Sequence, residues 1–129
     1  MIFGFFPFSL HVFCLGYAFE SASAILPFLE HPQTGVTSQF CASIAQRLGC
    51  HVVAGYPERL DPHEVGRRTL GEGNGEGGGG RVVDVVGANS AVLYGPDGTR
   101  VGHYRKSHLF YMDKVWAKPG ESVSIEYCK

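Results

Sequence analysis

The chain has 129 residues, 44% of them hydrophobic and 18% charged, with a formal net charge of −1. That length sets a single domain as the starting expectation, and the composition is ordinary for a folded protein with a core of its own. A charge this close to zero, with no basic stripe and no acidic tail, argues against nucleic acid as a partner and against a solvating arm.

The N-terminal stretch "MIFGFFPFSLHVFCLGYAF" is apolar almost throughout. A secretory signal would carry a positive start and a small-residue cleavage site, yet no Lys or Arg precedes Arg47. A spanning helix needs about 20 apolar residues, and Pro7, His11 and the glycines interrupt this run. No membrane partner is expected, although an anchor built on residues 1–19 is a competing use. Residues 1–14 read as an atypical apolar segment, either a buried strand or a stretch foreign to the domain over 15–129.

"HPQTGVTSQFCASIAQRLGC", residues 31–50, predicts a turn and then a helix. Thr37 or Ser38 can cap it by accepting a backbone N–H bond. Phe40, Ile44, Ala45 and Leu48 fall on one face at helical spacing, and Gly49 is a natural stop. "HVVAGYP" follows as a short β-branched strand, ended by Pro57. A helix feeding directly into a strand is the habit of layered α/β folds.

Residues 59–80 turn polar and then glycine-rich, and 66–80 are expected to form a flexible surface loop. Gly73, Gly75 and Gly78 match the GxGxxG spacing, but composition alone forces that match. No strand leads in, no helix follows and no Gly-Lys-Ser/Thr is present, so nucleotide binding is set aside. "ANSAVLYGPDGTRVGHYRK", residues 88–106, predicts a β-hairpin with strands over about 89–94 and 99–105 around Gly95-Pro96-Asp97-Gly98. Alternation points Gly102, Tyr104 and Lys106 one way and Val101, His103 and Arg105 the other. A lysine at a strand end sits where layered α/β proteins put site residues. Spacing alone leaves Lys106 open between that and a solvated lysine, the commoner case.

The cysteines are Cys14, Cys41, Cys50 and Cys128. They form no CxxC pair and fit no zinc ribbon, and they read as reduced, mostly buried thiols of a cytoplasmic protein. His103 and His108 bracket Lys106, but no third ligand stands at workable spacing, so neither a metal nor another cofactor is expected. Tyr104, Phe110, Tyr111 and Trp116 read as core or as a pocket floor.

Three stretches carry a family resemblance: "GYPER" at 55–59, "NSAVLYGPDGTRVGHYRKSHLF" at 89–110 and "DKVWAKPG" at 113–120. In order and spacing they resemble the nitrilase, or carbon–nitrogen hydrolase, superfamily, in a form most similar to its fungal protein N-terminal amidases. "LGYAFESASAILPFLE" at 15–30 resembles the segment after the family's first catalytic residue. The resemblance implies part of an α-β-β-α sandwich, incomplete here. It implies hydrolysis by a Glu, a Lys and a Cys. The cysteine thiolate attacks the carbonyl or nitrile carbon, the glutamate moves protons, and the lysine stabilises the charge on the tetrahedral intermediate. The lysine of the YRK element matches Lys106. Asp113 matches a carboxylate that hydrogen-bonds near it, and Glu58, Tyr104 and His108 are further site-supporting candidates; a solvated strand end is the plainer reading of Glu58.

The departures are as specific. No acid precedes Glu20, and His11 stands about where the family's glutamate would be. Cys128, in "SIEYCK", is too close to Lys106 and has the wrong neighbours for the nucleophile. The expectation is therefore a fragment of an amidase that hydrolyses carboxamides, the side-chain amide of N-terminal Asn or Gln above all, of whose three catalytic residues only Lys106 is present. The alternative is a non-catalytic, truncated relative with a binding or structural role. The partners implied are an amide substrate, protein N-termini and a second copy of the full-length form.

Overall fold

The computed structural model describes residues 9–13, as backbone, together with residues 18–71 and 80–121. Six strands and two α-helices follow in the order β1 Ser9–Phe13, α1 Ala22–Ile25, α2 Val36–Leu48, β2 His51–Arg59, β3 Gly66–Leu70, β4 Arg81–Val85, β5 Gly87–Tyr94 and β6 Arg100–Arg105. β1, β2, β5 and β6 form one sheet in that order, and β3 and β4 form a second. β1 runs parallel to β2, whereas β5 is antiparallel to both β2 and β6.

β5 and β6 are the expected hairpin, with β5 starting two residues before the predicted strand. The Gly98 N–H bonds the Gly95 carbonyl at 2.8 Å, and the Gly95 N–H bonds the Thr99 carbonyl at 2.8 Å. Gly98 sits at φ 80°, a conformation open to glycine at little cost. Asp97 Oδ1 accepts from the Thr99 N–H and hydroxyl, which ties down the turn.

α2 departs from its predicted start. It begins at Val36 with Gly35 at the N-cap, and neither Thr37 nor Ser38 caps it; both are buried within its first turn. The acceptor comes from outside the helix: the Glu30 carboxylate takes the Thr37 N–H at 2.7 Å and the Thr37 hydroxyl at 2.8 Å. The buried face also differs. Cys41 and Ala45 pack on Val52, Ala54, Tyr56, Val92 and Tyr94, while Phe40 and Leu48 are 46% and 64% exposed. Small side chains let the helix lie close to the sheet, so the inward stripe is the one of least bulk, and Phe40 and Leu48 lie beside it. Gly49 ends the helix at φ 60°, as its position predicts.

Pro57 does not end β2, which continues to Arg59. On the side that Pro57 faces, Glu30 forms a parallel bridge by donating its N–H to the Pro57 carbonyl and accepting from the Arg59 N–H, both at 2.8 Å. That bridge uses no N–H from residue 57, so proline costs it nothing. Gly66–Leu70, expected as loop, is a strand paired with β4, and the opposed Arg67 and Asp84 form an exposed ion pair at 3.3 Å. Gly73, Gly75 and Gly78 lie outside the described residues, as do Cys14 and Cys128. Ser9–Phe13 belongs to the sheet, so part of the segment set apart at 1–14 is continuous with the fold. Cys41 and Cys50 are buried. A second core joins Ala22, Ile25 and Leu29 to Trp116 and Ala117, and a third joins Leu60, Val85 and Ala88. Among the described residues no helix is long and apolar enough to cross a membrane.

Candidate active site

Lys106 leaves β6 where the strand ends, and its backbone is held on both sides. Its N–H donates to the Asn89 carbonyl at 2.8 Å, and its carbonyl accepts from the Gly120 N–H at 3.0 Å. Its ammonium lies 2.7 Å from Asp113 Oδ2. Asp113 is buried and begins a 3₁₀ turn over Asp113–Val115. Two further donors fix its carboxylate: the Asn89 amide reaches Oδ1 at 3.2 Å, and the Phe110 N–H reaches Oδ2 at 3.1 Å. An ammonium has three N–H donors. Asp113 occupies one, and the lysine side chain remains 28% exposed. The result is a cation fixed in direction with donors to spare.

The segment carrying Asp113 is laced to β5. The Trp116 carbonyl accepts from the Val86 and Gly87 N–H groups at 2.9 and 3.3 Å, and the Lys118 N–H donates to the Gly87 carbonyl at 2.8 Å. This crossing needs glycine at 87: a Cβ there would stand 2.6 Å from Leu29 Cδ2 and 2.8 Å from the Glu58 carbonyl oxygen.

The other face of the sheet holds a different arrangement. Glu58 is buried and accepts from the Ser90 hydroxyl at 2.6 Å and from Arg105 Nη2 at 2.7 Å, and its Oε2 pairs with His103 Nε2 at 2.8 Å. Arg105 also reaches Glu64 at 2.7 Å, and Glu64 accepts from Lys118 at 3.0 Å. Burial alone would push the Glu58 carboxyl up, but the hydrogen bonds from His103, Arg105 and Ser90 outweigh it and hold the group at about 2. Glu64 is held at about 2, chiefly by Arg105. Arg105 is pushed upward in turn, first by Glu64 and then by Glu58. The Tyr56 phenol is raised by burial and then by the charge of Glu58, and its hydroxyl has no hydrogen-bond partner among the described residues. A hollow of about 400 Å³ beside this network is lined by Glu64, His103, Arg105, Lys118 and Glu121, among others.

Of the residues singled out in the sequence, Lys106 and Asp113 are brought together. Glu58 is not: it is neither beside Lys106 nor a solvated strand end, because alternation along β2 turns it to the face of Ser90, His103 and Arg105. The Tyr104 hydroxyl accepts the Ser107 N–H at 3.4 Å, close to the turn after Lys106. His108 is exposed and meets Ser107 Oγ at 3.2 Å. Asn89 is the residue sequence reasoning missed. Its signal was available, since alternation in β5 puts it on the face of Lys106, directly across the hairpin. No cluster of three or more His, Cys, Asp or Glu side chains suited to a metal occurs among the described residues.

The described residues thus form part of a layered α/β protein with a clamped ammonium at a strand exit. The model of the carbon–nitrogen hydrolase family matches residues 7–129, and the chain belongs to that family. The match begins upstream of residue 15. A nitrilase of Pyrococcus abyssi is 32% identical over 110 residues, which cover 85% of this chain and 33% of that protein. A protein N-terminal amidase of Saccharomyces cerevisiae is 25% identical over 101 residues, covering 78% of this chain and 17% of that protein. The chain therefore spans a third or less of these relatives. Among solved structures, an N-terminal amidase with an Asn-Glu-Ala peptide aligns with TM-score 0.62 and 24% identity, over 87% of this chain and 22% of that one. A Nesterenkonia amidase of the nitrilase superfamily aligns with TM-score 0.51 and 17% identity, over 88% and 36%. The fold is accordingly part of the nitrilase-type sandwich.

Proposed function

We propose that this chain is the lysine-bearing part of an amidase that hydrolyses the side-chain amide of N-terminal Asn or Gln in proteins, with Lys106 as the residue that stabilises the oxyanion. The observation that carries the reading is the Lys106 ammonium held 2.7 Å from Asp113 at the exit of β6. In the reaction a thiolate adds to the amide carbon, and the carbonyl oxygen gains a negative charge. The C–N bond then breaks, ammonia leaves with a proton returned by a carboxylic acid, and water releases the acid product from the thioester. A cation already fixed in place stabilises the developing charge without the reorganisation that water would need. Asp113 holds the ammonium in direction, and the two N–H donors left on Lys106 are there for the oxygen. No residue of this chain is assigned the nucleophile's or the proton carrier's role. The cytoplasm is the compartment that fits this substrate and the four cysteines, and a second copy of the full-length form is the expected partner.

A second reading, a non-catalytic relative that binds rather than cleaves, is favoured by one observation: His11, and not an acid, stands about where the resemblance places the family's glutamate. One experiment separates the two. The protein made from the complete transcript is assayed for ammonia release from peptides beginning with Asn or Gln, with and without Lys106→Met. Release that falls at least about a hundredfold in the variant supports the amidase reading. Release that survives the substitution removes Lys106 from the mechanism, and no release from any carboxamide leaves the binding reading in possession.

A further inference from the structure

A second hollow, of about 690 Å³, opens between β3 and the segment that follows Lys106. Its walls include Arg68 and Leu70 from β3 and Leu109, Tyr111, Lys114 and Pro119 from the other side. Ser107, the residue after Lys106, also lines it. The lining holds two cations and no Asp or Glu. Their situations differ. Arg68 spends its guanidinium on the Lys114 and Ala117 carbonyls, at 3.3 and 2.8 Å, which fixes its charge in the wall. Lys114 is exposed and, among the described residues, forms no ion pair, whereas Lys106 pairs with Asp113 and Lys118 with Glu64. Beside these charges Tyr111 is 66% exposed, its ring tilted by 55° against that of Phe110 with centroids 4.5 Å apart, and Phe110 is itself 51% exposed. Leu70 and Leu109 are half-buried. Among the described residues β3 pairs with β4 alone, so its other edge offers backbone donors and acceptors to an extended chain.

We propose that this groove binds an acidic polypeptide segment in extended form, with carboxylates toward Lys114 and Arg68 and an apolar side chain against Leu70, Leu109 and Tyr111. A polypeptide is the occupant because one wall is a strand that pairs on one edge alone among the described residues, and because apolar and cationic side chains share the lining of a hollow of ligand-binding size. Acidity is set by the charge on Lys114, which has no ion-pair partner among the described residues. The proposal rests on the amidase reading only in naming the occupant as the stretch of substrate that follows the amide-bearing residue, since the groove begins next to Lys106 in the chain.

The test is fluorescence anisotropy with four C-terminally labelled peptides. Two begin with Asn and two with Ala, and each pair continues with either a Glu-rich or a Lys-rich sequence that includes one Leu. The acidic continuations are expected to bind about tenfold more tightly at low ionic strength, with the preference shrinking as salt rises toward about 0.5 M. Lys114→Glu, at an exposed position, is expected to reverse it. Preference for acid irrespective of the first residue supports the groove even where the amidase reading fails. Preference for Asn without preference for acid overturns the groove and spares that reading. Equal affinities, an absence of binding, or a preference that Lys114→Glu leaves unchanged also overturn it.

Discussion

Arg105 and Lys106 are neighbours in the chain and serve opposite faces of one sheet. Arg105 lies 2.7 Å from the buried carboxylate of Glu58, and Lys106 lies 2.7 Å from Asp113. Strand alternation at a single peptide bond separates a closed ionic network from an ammonium with donors left over. The two halves call for different tests.

The Glu58 network sets acid sensitivity. Glu58 and Glu64 both sit at about 2 in the folded chain, below an ordinary glutamate's 4.5. Folded values below the unfolded ones mean that the stabilisation is fully present above about 4.5 and is lost as pH falls from there toward 2. For Glu58 it amounts to about 3 kcal/mol at neutral pH, and the two contributions are less than additive because they share Arg105. Thermal melts from pH 7 to pH 2.5 should show Tm falling across this window. Glu58→Gln should be less stable at pH 7 and flatter in acid; a Tm as acid-sensitive as that of the parent chain would contradict the assignment.

Asp113→Ala removes the acceptor for both the Lys106 ammonium and the Phe110 N–H. A loss of about 1–3 kcal/mol is expected in urea titrations. The lysine side chain should also be acylated faster by an amine-reactive reagent, read at Lys106 by mass spectrometry. Unchanged reactivity would mean that Asp113 does not hold it.

Gly87→Ala should be among the costly single-methyl substitutions. The new carbon meets Leu29 Cδ2 at 2.6 Å, Trp116 Cζ3 at 3.0 Å and, at 2.8 Å, a backbone oxygen that cannot turn aside. Overpacking of this kind costs about 1–3 kcal/mol, and denaturant unfolding of the variant measures it.

Tyr56→Phe runs the other way. The phenol is buried without a partner among the described residues, so the hydroxyl carries a desolvation cost with no bond to offset it. Removing it should leave stability unchanged or raise it by about 1 kcal/mol. A loss above that size in a chemical melt would reveal a bond to this oxygen.

The hairpin and the Lys106–Asp113 pair were legible because their signals are local: a Gly-Pro-Asp-Gly turn, a period of two, and a motif of fixed spacing. The start and inner face of α2 were not, because both depend on partners outside the helix. Glu30 supplies the acceptor from seven residues before Thr37, and the closeness of the sheet selects Cys41 and Ala45 over the bulkier Phe40 and Leu48. β3 was hidden for the same reason. "GRRTL" has little strand character alone, and becomes a strand because Val82, Val83 and Val85 of β4 lie alongside it. Glu58 was misplaced because its charge suggested water, whereas Arg105, His103 and Ser90 converge on it from two other strands.

Glu30 joins two events that are usually separate. Its carboxylate closes the open end of α2 while its backbone bridges Pro57 and Arg59 of β2. A peptide of residues 36–48 cut free would lose its terminal acceptor and, with its short apolar stripe, would have little reason to coil in water. Helix and strand should therefore melt as one cooperative unit in hydrogen exchange, with the amide of Thr37 protected to the same degree as that of Arg59.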